Sequence, residues 1–209
     1  SLSEVLGRVR QSREQPLNGY VVNCGAADRD VDPIYALKLG SEFPAGYTIL
    51  GYECELTAAQ HLAKKRPDVT VRHMCINRTS IIADMKQQGA PKEFAILKTD
   101  IDSIDAVILD AILGHGYRPL VIYSEIMWDF PPPIDFAVIE NARPDQGCFG
   151  MSLSMVQRIL KKHGYTLVEA AHANVMAVQD RDAHLFVDRP HDEWYWFSLV
   201  KSAKGHTHW

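Results

Sequence analysis

Three small residues in a row, Gly25 to Ala27, follow the apolar segment Tyr20–Cys24 and lead into the acidic loop Asp28–Asp32. A backbone that must approach a ribose or a methionine group closely needs residues without bulky side chains at this point. In α/β proteins such a turn, directly after the first strand, lines a nucleotide pocket. The segment therefore predicts a pocket of this type. A plain strand end is the structural alternative, since short glycine motifs are weak signals.

Acidic side chains stand where later apolar segments end: Glu53 after residues 47–52, Asp100, Asp102 and Asp105 after residues 94–98, and Glu125 after residues 120–123. The carboxyl ends of parallel strands meet at one edge of a sheet, where ligands gather. The sequence therefore predicts a polar edge that joins these carboxylates to the residues 23–28.

A divalent cation is one ligand that such an edge could hold, because hard cations prefer several carboxylate oxygens. The candidate metal ligands are Asp100, Asp102, Asp105 and Glu125. For Asp105 the alternative is a cap on a helix that begins at Ala106. The spacing of these residues does not select a particular metal.

Two histidines are candidate general bases, since imidazole changes its charge near neutral pH. His73 stands at the end of a predicted strand, and His115 lies in the turn GHG. The structural alternative, which the intermediate burial of histidine favours, is that His73 packs in its strand and His115 lies on the surface.

The elements that must position these residues alternate between strand and helix patterns at short intervals. Strands are predicted over 20–24, 47–52, 69–74, 94–98, 120–123, 165–168 and 175–178, and helices over 2–14, 33–39, 57–65, 80–88, 106–113 and 152–163. This alternation predicts an α/β fold, a Rossmann-like and mostly parallel sheet flanked by helices, with antiparallel strands near the C-terminus.

Three segments lie outside this alternation. The N-terminal helix, within residues 1–17, is predicted to act as a lid or as a packing helix. Three consecutive prolines within residues 126–150 predict an extended loop over the strand ends, a candidate substrate lid. In the C-terminal extension, 187–209, the run WYWF (Trp194–Phe197) fits either a buried strand or an interface, where Trp and Tyr are enriched.

Composition bounds the fold and the partners. The 209 residues, 46% hydrophobic and 23% charged, predict a single domain over 1–209. A net charge of −4 argues against nucleic-acid binding and favours a small substrate or a protein partner. No apolar run approaches the roughly 20 residues of a membrane span, which predicts a soluble protein.

The cysteines Cys24, Cys54, Cys75 and Cys148 are widely separated. Three of them stand in apolar, strand-like surroundings, which predicts buried thiols and not a disulfide framework or a zinc site. This favours a reducing, intracellular compartment, either cytoplasmic or organellar. The start at Ser1 is compatible with a targeting sequence that has been removed.

Taken in order, the motifs resemble the FkbM-like branch of the S-adenosylmethionine-dependent methyltransferases. The resemblance runs from Tyr20 to about Phe186 through VVNCGAADRD, ILGYECE, FAILKTDIDSIDAVIL, PLVIYSEI, GMSLSMVQRILKKHGYTLV and NVMAV. Each motif alone is weak, and the specificity comes from their order and spacing. The resemblance implies methyl transfer from S-adenosylmethionine, with an oxygen of a small or glycan-like molecule as the acceptor.

The same resemblance implies the site residues. The cofactor would contact Asn23, Gly25, Ala26, Asp28, Glu53 and Asp100. Glu53 would accept hydrogen bonds from both ribose hydroxyls, with Glu55 as the alternative and a solvated strand end as the structural explanation. Asp100 would face the cofactor's amino group or the substrate, which makes it the first catalytic candidate beside His73 and His115.

The sequence departs from the family at three positions. Asn23 stands where relatives usually have an acidic residue, and Arg29 and Ser103 stand where glycines are common. These departures support a second hypothesis, a methyltransferase-like fold without catalysis that serves as a structural or binding subunit of a larger complex. Its contact surfaces would be the proline loop and the Trp194–Phe197 region.

Overall fold

A seven-stranded sheet forms the centre of the molecule in the residues that the structure describes. The computed structural model describes residues 1–13, 18–26, 32–37, 43, 46–139, 149–189 and 192–204. The strands are β1 (Gly19–Cys24), β2 (Tyr47–Glu53), β3 (Val69–His73), β4 (Glu93–Thr99), β5 (Arg118–Glu125), β6 (Tyr165–Ala171) and β7 (Asn174–Gln179). Their spatial order is β3-β2-β1-β4-β5-β7-β6.

The pairing of the strands confirms the predicted fold. β1 to β5 run parallel to their neighbours, whereas β7 is antiparallel to both β5 and β6. Strand order reverses at β1, which pairs with β2 on one side and with β4 on the other. A Rossmann-like sheet of this kind brings the carboxyl ends of β1, β2, β4 and β5 to one edge.

Helices cover both faces of this sheet. They are α1 (Leu2–Gln11), α2 (Pro33–Ala36), α3 (Leu56–Lys65), α4 (Arg78–Gln87), α5 (Asp105–Gly114), α6 (Leu153–Lys162) and α7 (Glu193–Lys204), with a 3₁₀ segment at Asp180–Phe186. Two hydrophobic cores result. The first contains residues of α4, α5, α6 and α7, and the second contains residues of α1 and α2.

The N-terminal helix α1 is a packing helix. Ser1 and Glu4 form a capping box that satisfies free N–H groups of its first turn. Leu2, Val5 and Leu6, together with Val9, are buried in the second core. Of the two predicted roles for this helix, packing is therefore the one that its burial supports.

The aromatic run near the C-terminus is helical, so the strand prediction for it is wrong. Trp194 to Phe197 lie in α7, where Trp196 is buried in the first core. Trp194 and Tyr195 are exposed, at 57% and 45%. Four consecutive aromatic residues suit a strand and a helix equally well, and the packing of α7 on β6 decides between them.

The cysteines differ from their prediction. Cys24 is a buried free thiol, as predicted, and burial raises its pKa to about 12. Cys54 and Cys75, however, are exposed and form a disulfide, so the prediction of buried thiols is wrong for them. Both follow the carboxyl ends of neighbouring strands, β2 and β3, which brings together residues far apart in the sequence. Cys148 lies outside the described residues.

Within the described part of the chain, none of the helices is both long enough and apolar enough to cross a membrane.

Candidate functional site

The turn after β1 is held against the ends of both neighbouring strands. The backbone N–H groups of Gly25 and Ala26 donate to the carbonyl of Tyr52 at 3.1 and 2.9 Å. Gly25 has a φ of 81°, and a Cβ on it would lie 1.6 Å from the carbonyl oxygen of Asp100. Both observations require glycine here, and the turn therefore presents backbone where any other residue would present a side chain.

Glu53 stands beside this turn at the end of β2. It is partly buried, and its Oε1 accepts a hydrogen bond from the backbone N–H of Glu55 at 2.8 Å. Glu55 itself caps α3, where its carboxylate accepts from the N–H groups of Thr57 and Ala58. Since Glu55 is occupied by the helix cap, Glu53 is the better placed of the two alternatives for binding a ligand.

An acidic trio, Asp100, Asp102 and Glu125, forms the other side of the site. One carboxylate oxygen of each lies within 4.8 Å of the others. Burial, followed by the nearby carboxylates of Asp100, Asp102 and Asp105, raises the pKa of Glu125 to about 8. Its Oε2 is buried and finds no hydrogen-bond partner among the described residues. A proton or a cation would relieve this concentration of negative charge.

Asp105 is close enough to the trio to affect the pKa of Glu125, but it is not one of the three residues whose oxygens lie together, and it supports the turn instead. Its carboxylate accepts hydrogen bonds from the backbone N–H groups of Ile101 and Ser103 at 2.9 and 3.2 Å. α5 begins at Asp105 itself, and Asp105 is fully buried. Burial raises its pKa to about 6, against the opposing effect of these hydrogen bonds. The structure therefore places Asp105 as a support for the turn that carries Asp100 and Asp102.

Sequence reasoning missed a buried lysine, Lys98, which is 2% exposed on β4. Its Nζ lies 3.0 Å from the carbonyl oxygen of Gly25, 3.1 Å from Oδ2 of Asp100 and 3.5 Å from Oδ2 of Asp32. Asn23, the register partner of Lys98 on β1, donates from Nδ2 to the same oxygen of Asp32 at 3.0 Å. The available signal was a lysine near the end of an otherwise apolar strand.

The two predicted histidines lie at opposite ends of the sheet. His73 pairs in register with Glu53, and its exposed ring places Nε2 3.1 Å from the carbonyl oxygen of Cys54. His115 follows α5 and precedes the amino end of β5, and its Nδ1 lies 2.8 Å from the carbonyl oxygen of Ala111. The structure brings His73, but not His115, to the edge that carries Gly25 and Asp100.

The proline loop is anchored beside the acidic turn. Backbone N–H groups of Met127 and Val138 donate to the carbonyls of Met151 and Gly150, at 2.7 and 3.0 Å. Gly150 in turn donates to the carbonyl of Ser103 at 2.8 Å. The two ends of this loop are therefore anchored beside the acidic turn after β4, and its role as a substrate lid stays a prediction. Residues 140–148 fall outside the described part of the chain, as do Asp28 and Arg29 of the glycine turn.

Comparison with known proteins finds likeness in structure only. No protein-family model matches the chain, and neither does any curated protein. Among solved structures, the MycE methyltransferase of the mycinamycin biosynthetic pathway, solved with Mg and SAH, is 17% identical with a TM-score of 0.49. The match covers 85% of this chain and 54% of that one, so the chain spans about half the length of MycE.

Two further solved structures are similar. Fibrillarin from Aeropyrum pernix, with bound S-adenosyl-L-methionine, is 13% identical with a TM-score of 0.48, covering 84% of this chain and 74% of its own. Magnesium protoporphyrin IX methyltransferase from Synechocystis, with bound SAH, is 10% identical with a TM-score of 0.46, covering 85% and 81%. These likenesses concern the fold, which the strand order and register establish independently.

Proposed function

We propose that this protein binds S-adenosylmethionine at the carboxyl ends of β1, β2 and β4 and transfers its methyl group to an oxygen of a small or glycan-like acceptor. The observation that carries the proposal is the position of Gly25. This turn without a side chain follows β1, which lies between β2, ending at Glu53, and β4, which Asp100 follows. The FkbM-like motifs and the names of the similar structures agree with it.

The residues at this edge fit the chemistry of the cofactor. A ribose offers two hydroxyl donors, and the carboxylate of Glu53 can accept both. The cofactor carries a positive sulfonium and a positive ammonium group, which the carboxylates of Asp100 and Asp102 would stabilise. When bound, the sulfonium supplies an electrophilic methyl group. Asn23 and Asp28, the other predicted contacts, belong to the same proposal.

Within this proposal, the chain contributes alignment and charge. The Gly25 turn and Glu53 would hold the cofactor, while Asp100 would orient the acceptor hydroxyl and take up its proton, with His73 as the alternative at the same edge. Transfer of the methyl group would replace the acceptor's O–H bond with an O–CH₃ bond, and the released proton would pass to the carboxylate of Asp100. Most of the acceleration would come from alignment and electrostatic fit.

The acidic trio adds a cation to the proposal. Asp100, Asp102 and Glu125 offer oxygen ligands at close range, and Glu125 has an oxygen without a hydrogen-bond partner among the described residues. Such a set suits Mg²⁺ or Ca²⁺. A divalent cation there would replace the proton that Glu125 otherwise holds, and would place positive charge where an acceptor oxygen loses its proton.

Calorimetric titration with S-adenosylmethionine and S-adenosylhomocysteine tests the proposal, with and without Mg²⁺. We expect both to bind the wild-type protein, and Glu53→Ala to weaken both by about tenfold or more, because two charge-assisted hydrogen bonds are lost. Glu93→Ala, an exposed carboxylate at the amino end of β4, is the matched control and should bind as the wild type does. Folded wild-type protein that binds neither compound would refute the proposal.

The exposed aromatic residues of α7 favour a second candidate, a binding subunit of a larger complex that has kept the fold without the catalysis. Trp194 and Tyr195 present large apolar surfaces to solvent, and such residues are frequent anchors of protein interfaces. Failure of the wild-type titration, together with co-purification in a stable complex, is the result that this candidate predicts.

A further inference from the structure

Lys98 is a charged side chain at a buried position, which is unusual. Lysine is almost never fully buried unless it is paired, because an ammonium group loses its hydration there. Its three N–H donors face three acceptors: the carbonyl of Gly25, the carboxylate of Asp100 and the carboxylate of Asp32. The ammonium group is therefore satisfied by groups from three separate segments of the chain.

Two of these three segments, the turns that carry Gly25 and Asp100, form walls of the proposed cofactor site. Gly25 belongs to the turn after β1, Asp100 begins the acidic turn after β4, and Asp32 caps α2 by accepting from the N–H of Ile34 at 2.8 Å. The two turns are already joined through the backbone, since the N–H of Asp100 donates to the carbonyl of Cys24, the residue before Gly25, at 3.1 Å. Lys98 adds a bond to the side chain of Asp100, which the backbone contact leaves free to rotate.

We propose that Lys98 is a positioning residue: its ammonium group ties the glycine turn to the carboxylate of Asp100 and so fixes the two walls of the site relative to each other. A structural role alone would need only Asp32, the deeply buried partner. The bonds to Gly25 and Asp100 are made to the groups that would touch a ligand, since Asp100 is 32% exposed and belongs to the acidic trio. The functional part of this inference rests on the proposed cofactor site.

The test must separate positioning from the cost of an unpaired buried charge. Lys98→Met alone would leave Asp32 buried without its cation, and the loss of stability from that unpaired charge would obscure any effect on positioning. The double variant Lys98→Met/Asp32→Asn removes both charges, and the new amide can pair with Oδ1 of Asn23, which is buried without a partner among the described residues. Lys86→Met, an exposed lysine on α4, is the matched control.

Two measurements are made on the double variant. Hydrogen exchange should show faster exchange at the amides of Gly25, Ala26 and Asp100 by about tenfold or more, while amides in the middle of β4 and β5 keep their protection. Affinity for S-adenosylhomocysteine should fall by about tenfold or more. The control variant should match the wild type in both.

The outcomes are distinguishable. If hydrogen exchange at Gly25 and Asp100 is unchanged, Lys98 does not hold the two turns together, whether or not the cofactor binds. Faster exchange with unchanged affinity overturns the positioning role in binding. A wild-type protein that binds no cofactor refutes the proposed function, and the exchange measurement then still decides whether Lys98 couples the two turns.

Discussion

Asp105 shows how one residue can serve the site without touching a ligand. It is fully buried, and its carboxylate holds the backbone of the turn that displays Asp100 and Asp102. Burial of a carboxylate disfavours its charged form, so a folded protein takes up a proton here more readily than an unfolded one. The support of the acidic turn is therefore linked to pH.

The direction of this linkage follows from the raised pKa of about 6. Below about pH 4, Asp105 is protonated in both the folded and the unfolded state. As the pH rises from about 4 to about 6, only the unfolded state gives up the proton freely, so this group should lower the free energy of unfolding by about 3 kcal/mol. The difference in unfolding free energy between the wild type and Asp105→Asn, measured in urea across this range, should fall accordingly.

Asp110, on the same helix, is the control, because its pKa is shifted in the opposite direction. Burial raises the pKa of its carboxyl, but the hydrogen bonds from Lys162 and His163 outweigh burial and hold the pKa below its usual value. Its contribution to stability is lost as the pH falls through that value. If the difference in unfolding free energy from the wild type changes with pH in the same direction for Asp105→Asn and Asp110→Asn, the linkage proposed for Asp105 is wrong.

At the scale of elements, the strand ends were predictable, whereas the contacts between them were not. Glu53, Asp100 and Glu125 each follow an apolar run, and parallel strands must bring such ends together. Asp32 and Lys98, in contrast, form an ion pair although Asp32 precedes β2 in the sequence and Lys98 follows β3. No local pattern marks that pairing, because it depends on β4 lying beside β1.

The disulfide between Cys54 and Cys75 is a second contact that follows from strand order. It links the ends of β2 and β3 and closes a segment that contains α3. The sequence showed only two cysteines separated by 21 residues, each next to an apolar strand. Their pairing requires β2 and β3 to be parallel neighbours in the register that sets Glu53 opposite His73.

Reduction should therefore destabilise the protein. A cross-link across a loop of this length restricts the unfolded chain and stabilises the folded state by about 3 kcal/mol. We expect a reductant to lower the melting temperature of the wild type, and Cys54→Ser/Cys75→Ser to melt at that lower temperature with or without reductant. A wild-type protein whose Cys54 and Cys75 react as free thiols before any reductant is added, and whose melting temperature a reductant leaves unchanged, would show that the bond does not form in solution.

At the scale of the whole molecule, one sheet separates two cores. Residues of α1 fill the second core, and residues of α4, α5, α6 and α7 fill the first. Both cores pack on the same strands, since adjacent residues such as Val21 and Val22 of β1 belong to different cores. Loss of either core would expose one face of the sheet and destabilise the strands. Because the other core packs on the opposite face of the same strands, the two cores should unfold together.

Leu6→Ala in α1 tests this expectation. Leu6 is 0% exposed, and its truncation should lower the free energy of unfolding by about 2–5 kcal/mol, through lost burial and the cavity left behind. Trp196 reports on the other face, in the first core. If the cores unfold as one unit, tryptophan fluorescence and far-ultraviolet circular dichroism will shift together to the same lower denaturant midpoint.

Leu56→Ala, the same change at a leucine that is 48% exposed, should lower the free energy of unfolding by about 0.5 kcal/mol or less and so move the denaturant midpoint little. A fluorescence midpoint that stays in place in Leu6→Ala while circular dichroism shifts would mean that α1 and its core detach separately. In that case the helix could open without disturbing the strand ends, and the packing role assigned to it would have to be replaced by that of a lid.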